Sequence, residues 1–378
     1  MTHPSPQSAY IHIPFCARKC LYCDFTSYPG MESSFAHYVD ALRCEIRRGT
    51  DRYPDSCIST IYLGGGTPVI LPPEALSQIL DEIRAFFTVD ADAGITIESN
   101  PGMPVEYPYL RDAGSNRLSM GVQSFHDDEL RLLGRIHSSN DAFSAYQSAR
   151  DAGFSNISID LMYGIPGQTM GSWMETLCRA VDLSPEHISL YSLTVEEGTP
   201  FHRMMERGDL HLPGDDIETD MYEAAIQTLT EHGYEQYEIS SFAKPGFRCR
   251  HNITYWRNEP YFGFGAGAVS YLDGVRASNT TSVDDYIGRI QQDESPVDVS
   301  ETLGERESMG ETIFLGLRMC DGVDICAFER RYGIPIQEAF GEQIEMLSTK
   351  EMLIETDGFL RLTRRGLLFS NDVFAEFV

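Results

Sequence analysis

Short stretches rich in β-branched and aromatic residues recur at 10–14, 58–63, 95–99, 117–122, 157–162 and 187–193, and helix-length segments separate them. Two of these segments each carry one apolar face at helical spacing, Phe35, Val39, Leu42 and Ile46 in the first and Leu76, Ile79, Leu80, Ile83 and Phe87 in the second. Strands joined by helix-length crossovers pair in parallel with right-handed connections. The first ~200 residues therefore fold as α/β, either an open doubly wound sheet or a curved, barrel-like one, with too few units to close an eightfold barrel.

In both architectures functional residues gather at the C-terminal ends of strands. The sequence Gly64-Gly-Gly-Thr67 follows the second stretch, Glu98 closes the third, Gln123 follows the fourth and Asp160 falls near the end of the fifth. Each alone fits an ordinary turn. Together they aim polar groups at one rim.

Beyond this unit, residues 213–233 read as helical, 234–256 are rich in aromatics and arginine, and 263–267 are dense in glycine. They continue a first domain, taken as 1–290. The charged stretch 291–307 reads as a linker. Helical candidates at 311–319 and 337–353, with a short segment around 358–362, make a small, mostly helical C-terminal domain, 300–378, for which a winged-helix shape is one option.

The chain carries 57 acidic residues against 29 Lys and Arg, a formal charge of −28, which repels polyanions and argues against a nucleic-acid partner. No apolar run approaches the ~20 residues of a spanning helix, and residues 1–8 lack the basic and apolar regions of a signal peptide. Nine cysteines are an odd count, and three crowd together, which fits a reducing compartment and a metal better than disulfides. The expected location is cytoplasmic.

Those three lie in His12-Ile-Pro-Phe-Cys16-Ala-Arg-Lys-Cys20-Leu-Tyr-Cys23, a C-x3-C-x2-C spacing on the loop after the first strand. Three thiolates on a [4Fe-4S] cluster leave one iron open to a small molecule. The alternative is zinc in a binding module without redox chemistry, with His12 or another residue as fourth ligand. Structural zinc needs four donors, and no second cysteine pair stands at short spacing. Cys44, Cys57, Cys178, Cys249, Cys320 and Cys326 are scattered.

Six ordered motifs carry a resemblance: Tyr10-Ile-His-Ile-Pro-Phe-Cys16, Gly64-Gly-Gly-Thr-Pro68, Glu98-Ser-Asn-Pro-Gly102, Asn116-Arg-Leu-Ser-Met-Gly-Val-Gln-Ser-Phe125, Asp160-Leu-Met-Tyr-Gly164 and His251-Asn-Ile-Thr-Tyr-Trp256. The chain resembles radical SAM proteins of the oxygen-independent coproporphyrinogen III oxidase type and, within them, the haem chaperones called HemW. The resemblance implies a partial (β/α)6, TIM-like barrel. It also implies S-adenosylmethionine (SAM) bound through its amino and carboxylate groups to the open iron, with electron donation cleaving the sulfonium to a 5′-deoxyadenosyl radical. By motif it assigns Cys16, Cys20 and Cys23 to the cluster. Tyr10, Tyr22, Gly65, Gly66, Thr67, Glu98, Gln123, Arg135 and Asp160 are assigned to SAM, with Thr194 and Val269 aligned more loosely. Glycine at 64–66 suits this role, since it lets backbone approach a ligand closely.

Two features separate chaperone from oxidase. The oxidases carry a further cysteine two residues after the third, where this chain has Phe25. The 251–256 segment looks like the HNxxYW motif associated with haem binding, which would make His251 an axial ligand, with Cys249 second, and would set Asn252, Tyr255 and Trp256 beside the porphyrin. Lys244, Arg248, Arg250 and Arg257 concentrate positive charge there, suited to haem propionates. At Val269 many HemW sequences have histidine and the oxidases an apolar residue, so that position leans the other way. The resulting expectation is a haem carrier with a cluster and SAM. Its partners are an electron donor and recipient haemoproteins, membrane-associated respiratory proteins among them. Coproporphyrinogen oxidation is the alternative.

Overall fold

The computed structural model describes residues 6–378. Strand and helix alternate as β1 (Ser8–Ile13), α1 (Phe35–Arg52), β2 (Cys57–Gly65), α2 (Pro73–Phe86), β3 (Thr88–Ser99), α3 (Tyr107–Asp112), β4 (Arg117–Gln123), α4 (Asp127–Leu133), α5 (Ser139–Asp151), β5 (Ile157–Tyr163), α6 (Met170–Leu183) and β6 (His187–Ser192). The strands β1 to β6 pair in sequence order, all parallel. All six expected strands are present, and the curved parallel sheet is the partial barrel of the resemblance.

Alternation along each strand divides the residues between two environments. Ile11 and Ile13 of β1, Ile61 and Leu63 of β2, Leu118 and Met120 of β4 and Ile159 and Leu161 of β5 join the main core. There they meet Leu42 and Ile46 of α1, Ile79 and Ile83 of α2, and Trp173 and Leu177 of α6. Each such side chain contributes roughly 1.5–3 kcal/mol by leaving water. The intervening residues are polar: Tyr10 and His12, Thr60 and Tyr62, Glu98, Arg117 and Ser119, Ser158 and Asp160, His187 and Ser189. Helix starts are fixed locally, as at α5, where Ser138 and Asp141 form a capping box, and at α6, where Thr169 and Ser172 do.

The chain then forms α7 (Pro200–Glu206), α8 (Asp215–Glu231), β7 (Glu235–Glu238), β8 (Ser241–Ala243), α9 (Arg250–Trp256), β9 (Phe262–Phe264), β10 (Val269–Leu272), β11 (Val275–Asn279), α10 (Val283–Gln291) and β12 (Val297–Thr302). Strand β8 adds antiparallel to β6, β7 follows it, and β9 joins β1 in parallel, giving an open nine-stranded sheet. The expected linker at 291–307 is corrected here: it contains β12, paired antiparallel with β11 in a second sheet. Every β12 side chain is exposed, Val297 and Val299 included, so the stretch resembles a loop in sequence although its backbone is paired.

The remaining chain comprises α11 (Glu305–Leu317), β13 (Val323–Asp324), α12 (Ile325–Tyr332), α13 (Ile336–Thr349), β14 (Leu353–Thr356), β15 (Phe359–Leu362), α14 (Arg364–Leu368) and α15 (Ser370–Ala375). Its helices and the sheet β13-β15-β14 enclose a separate apolar core that includes Ile313, Phe328, Phe340, Leu347 and Leu360. The expected helix at 311–319 begins earlier, at Glu305, and the one at 337–353 stops at Thr349 because Leu353 enters β14. Among the described residues no helix is long and apolar enough to cross a membrane.

Candidate functional site

A cavity of about 490 Å³ opens at the C-terminal ends of the parallel strands. Cys16, Cys20 and Cys23 line it together with Tyr22 of the same loop, and all three are free thiols. The loop is stitched to the glycine turn after β2: Gly66 N–H donates to Ile13 O at 2.9 Å and Thr67 N–H to Phe15 O at 2.7 Å. A Cβ at Gly66 would lie 2.4 Å from the Phe15 carbonyl oxygen, so only glycine permits this approach. On the other side Leu21 N–H donates to Leu133 O at 3.1 Å, which brings the segment after α4 and its Arg135 against the cysteines.

Arg135 Nη1 donates to Cys20 Sγ at 3.5 Å and Nη2 to Asn100 Oδ1 at 2.5 Å, while Asn100 Nδ2 donates to Thr67 Oγ1 at 2.8 Å. Thr67 Oγ1 lies 3.5 Å from Cys16 Sγ. Two of the three sulfurs are thus reached by one chain of hydrogen bonds through Asn100, a residue that sequence reasoning did not single out. The signal available was its place in the motif 98–102, just past the end of β3. Burial pushes the Cys16 and Cys23 thiols up from their ordinary values. As free thiols they therefore stay protonated, and a bound metal centre is what would hold them as thiolates.

Glu98 and Asp160 face the same cavity. Glu98 accepts from Tyr62 OH at 3.0 Å and from Gly65 N–H at 3.1 Å, and its carboxyl is pushed up to about 7, first by burial and then by the nearby Asp160 charge. Burial also raises Asp160, against hydrogen bonds from Ser119 and its neighbours. Gln123 reaches the cavity from an unusual backbone, φ 67°, where the register between β4 and β5 shifts. A left-handed conformation in a residue other than glycine is a strain that clusters at functional sites. Thr194 completes the wall beyond β6.

The site therefore unites Cys16, Cys20, Cys23, Tyr22, Gly65, Gly66, Thr67, Glu98, Gln123, Arg135, Asp160 and Thr194. Tyr10 and Val269 lie apart, in an adjoining cavity of about 370 Å³ that shares Asp24 and Phe25 with the first. His12 also lines that second cavity, with one ring nitrogen 2.8 Å from Thr26 O and the other 3.1 Å from Tyr10 OH. It is not among the residues lining the cysteines' cavity. Among the described residues no three His, Cys, Asp or Glu side chains converge on a single-ion site.

The donor set fits a [4Fe-4S] cluster with SAM beside it. Three sulfurs line one wall, and paired carboxylates with raised pKa values face a space that a sulfonium cation and N–H and O–H donors would relieve. Arg135 Nε is buried without a partner, a donor suited to a carboxylate.

The 251–256 segment lies on α9, beside β2 and the C-terminal helices. His251, on α9, is only 3% exposed. Its Nδ1 lies 2.9 Å from Thr60 Oγ1 and its Nε2 2.8 Å from Tyr255 OH, and its ring stacks on Tyr62 at 5.1 Å. Burial lowers its pKa to about 3. Tyr255 lines the second cavity, Asn252 is half-buried, and Trp256 lies beneath the Arg318 guanidinium, 4.3 Å away. The motif's side chains thus divide: His251 turns into the sheet interior, Tyr255 borders the second cavity and Trp256 packs under Arg318. Of the four basic residues expected to gather there, Arg248 pairs with Asp321 at 2.8 Å and Arg250 with Asp92 at 3.3 Å, whereas Lys244 donates to Ser184 O at 2.8 Å and, like the exposed Arg257, has no acidic partner within 4.0 Å among the described residues. Cys249 is buried with the core around Tyr237 and Met319.

Residues 10–180 match the Radical SAM superfamily and residues 303–369 the HemN C-terminal domain. The chain is similar to the heme chaperone HemW of Bacillus subtilis (strain 168), 40% identical over 375 residues covering 98% of this chain and 99% of the relative. It is 36% identical to the heme chaperone HemW of Escherichia coli (strain K12), covering 99% and 98%. The mitochondrial radical S-adenosyl methionine domain-containing protein 1 of Danio rerio is 32% identical, covering 98% and 87%. Among solved structures, the coproporphyrinogen III oxidase HemN of Escherichia coli, a radical SAM enzyme, superposes with a TM-score of 0.85 at 25% identity, covering 99% of this chain and 90% of that one.

Proposed function

The chain belongs to the HemW heme-chaperone family of radical SAM proteins, and from that membership we propose a haem carrier whose [4Fe-4S] cluster is held by Cys16, Cys20 and Cys23 with SAM alongside. The chain binds haem and hands it to haemoproteins. The observation that carries the site assignment is the gathering of three cysteines, two raised carboxyls and an orphaned Arg135 donor in one cavity at the strand ends.

When bound, the cluster and SAM supply one-electron chemistry. Within the chain, Arg135 donates toward Cys20 and keeps Nε free for the SAM carboxylate. Glu98 and Asp160 take the ligand's cationic and hydroxyl groups, the backbone of Gly65, Gly66 and Thr67 borders its methionyl end, and Gln123 and Tyr22 flank it. Tyr10 and Val269 wall the adjoining cavity for the remainder of the same ligand. His251 is neutral at physiological pH, the form in which imidazole ligates iron. Exchanging the Tyr255 hydroxyl for iron at Nε2 makes it the haem ligand, with Asn252, Tyr255 and Trp256 around it. We assign the exchange to the cytoplasm, with an electron donor for the cluster and membrane-associated respiratory proteins among the haem recipients.

The test is anaerobic reconstitution followed by haem transfer to an apo-haemoprotein, in parallel with incubation on coproporphyrinogen III and SAM. Transfer without sustained protoporphyrinogen formation is expected. Sustained turnover of the porphyrinogen would replace the carrier with an oxidase.

A further inference from the structure

Helix α9 has seven residues, too few to hold a helix by its own hydrogen bonds, so contacts at its two ends set its position. At one end His251 is enclosed by Thr60, Tyr62 and Tyr255. At the other, the C-terminal helices grip it. The Arg318 guanidinium covers the Trp256 ring at 4.3 Å and approaches Glu238 at 3.7 Å. Asn258 Nδ2 donates to Thr312 Oγ1 at 3.0 Å, and Arg331 Nη2 donates to Asn258 O at 2.9 Å. While the helix is seated, His251 is 3% exposed and both ring nitrogens are engaged, so iron reaches neither without displacing Thr60 or Tyr255.

The grip itself is poorly satisfied. Trp256 Nε1 and Arg318 Nε are both buried without hydrogen-bond partners, and they belong to the same contact. Buried orphan donors regain partners in water once a contact opens, so this one is biased toward release in a way a fully bonded contact is not. Arg318 is also part-exposed, which keeps the cation–π attraction modest.

We propose that the C-terminal helical unit is a latch on haem binding: Arg318 over Trp256 holds α9 seated with His251 buried, and haem is taken up when that contact opens. The inference rests on the reading of His251 as the haem ligand. Its consequence is that the C-terminal unit, which lies outside the cofactor cavity, sets the rate at which haem is captured and released.

The chain has two tryptophans, so Trp173→Phe leaves Trp256 as the reporter. In that background Arg318→Met should raise acrylamide quenching of Trp256 and speed haemin association about tenfold, while Arg318→Lys restores the slow rate. Hydrogen exchange of the 250–256 amides in the otherwise unaltered chain gives the same readout without the tryptophan change. Should Arg318→Met fail to fold, Asn258→Ala and Thr312→Val loosen the same grip. An unchanged association rate with a more accessible Trp256 overturns the latch. If His251→Ala binds haemin as tightly as the unaltered protein, the ligand assignment falls and takes the latch with it. If His251→Ala abolishes binding and Arg318→Met leaves the rate unchanged, only the latch falls.

Discussion

Substituting Glu98→Gln measures how much burial beside Asp160 strains this carboxylate. The Glu98 carboxyl is held at about 7 against an ordinary 4.5, by burial first and by Asp160 second, with Tyr62, Gly65 N–H and the Arg117 charge acting the other way. A carboxyl raised in the folded state favours folding while it is protonated. Its contribution is therefore whole below pH 4.5 and is lost as the pH rises through 7. Between pH 5 and pH 8 the loss integrates to about 2–3 kcal/mol. Glutamine abolishes that titration but turns an amide N–H2 toward one of the two donors, Tyr62 OH or Gly65 N–H, a mismatch of about 1–3 kcal/mol at either pH. The mismatch cancels when the two pH values are compared. Urea unfolding of the metal-free protein should thus show a variant less stable than the parent at pH 5 that gains about 2–3 kcal/mol relative to it by pH 8. An equal stability difference at both pH values, or one that moves the other way, would refute the claim that Glu98 is a strained, half-protonated carboxyl.

The same ionisation governs ligand binding. SAM affinity of the reconstituted protein should fall about tenfold from pH 8 to pH 6, because the ionised fraction of a group titrating near 7 falls by that factor, and calorimetry on Glu98→Gln should find a flat profile. Substitution of Cys16, Cys20 or Cys23 by alanine should abolish the iron–sulfur absorbance and leave haem binding, whereas His251→Ala should weaken haem binding at least tenfold and leave that absorbance. Loss of both signals in either variant would contradict separate sites.

The six parallel strands were legible because apolar alternation and helical spacing are local properties of the sequence. The cysteine loop, the glycine turn and the carboxylates were legible because they lie in ordered motifs at strand ends. What escaped depended on contacts distant in sequence. Asn100 matters because Thr67 and Arg135 flank it in space. The basic residues at 248 and 250 looked free because their acidic partners, Asp321 and Asp92, lie 73 and 158 positions away. The motif at 251–256 lists residue types but not which way a helix faces, so the burial of His251 between β2 and Tyr255 could not be read from it. Strand β12 escaped for another reason: its alternation, Val297-Asp-Val299-Ser, is only four residues long and sits in a stretch of exposed polar and acidic residues that reads as a loop.

Haem carriage and porphyrinogen oxidation separate when the reconstituted protein is loaded with haem under anaerobic conditions and one experiment follows both haem appearing in an apo-haemoprotein and protoporphyrinogen formed from added coproporphyrinogen III and SAM. Haem transfer that His251→Ala suppresses, with no sustained porphyrinogen turnover, is the expected result. Continued protoporphyrinogen production with no haem passed on would contradict it.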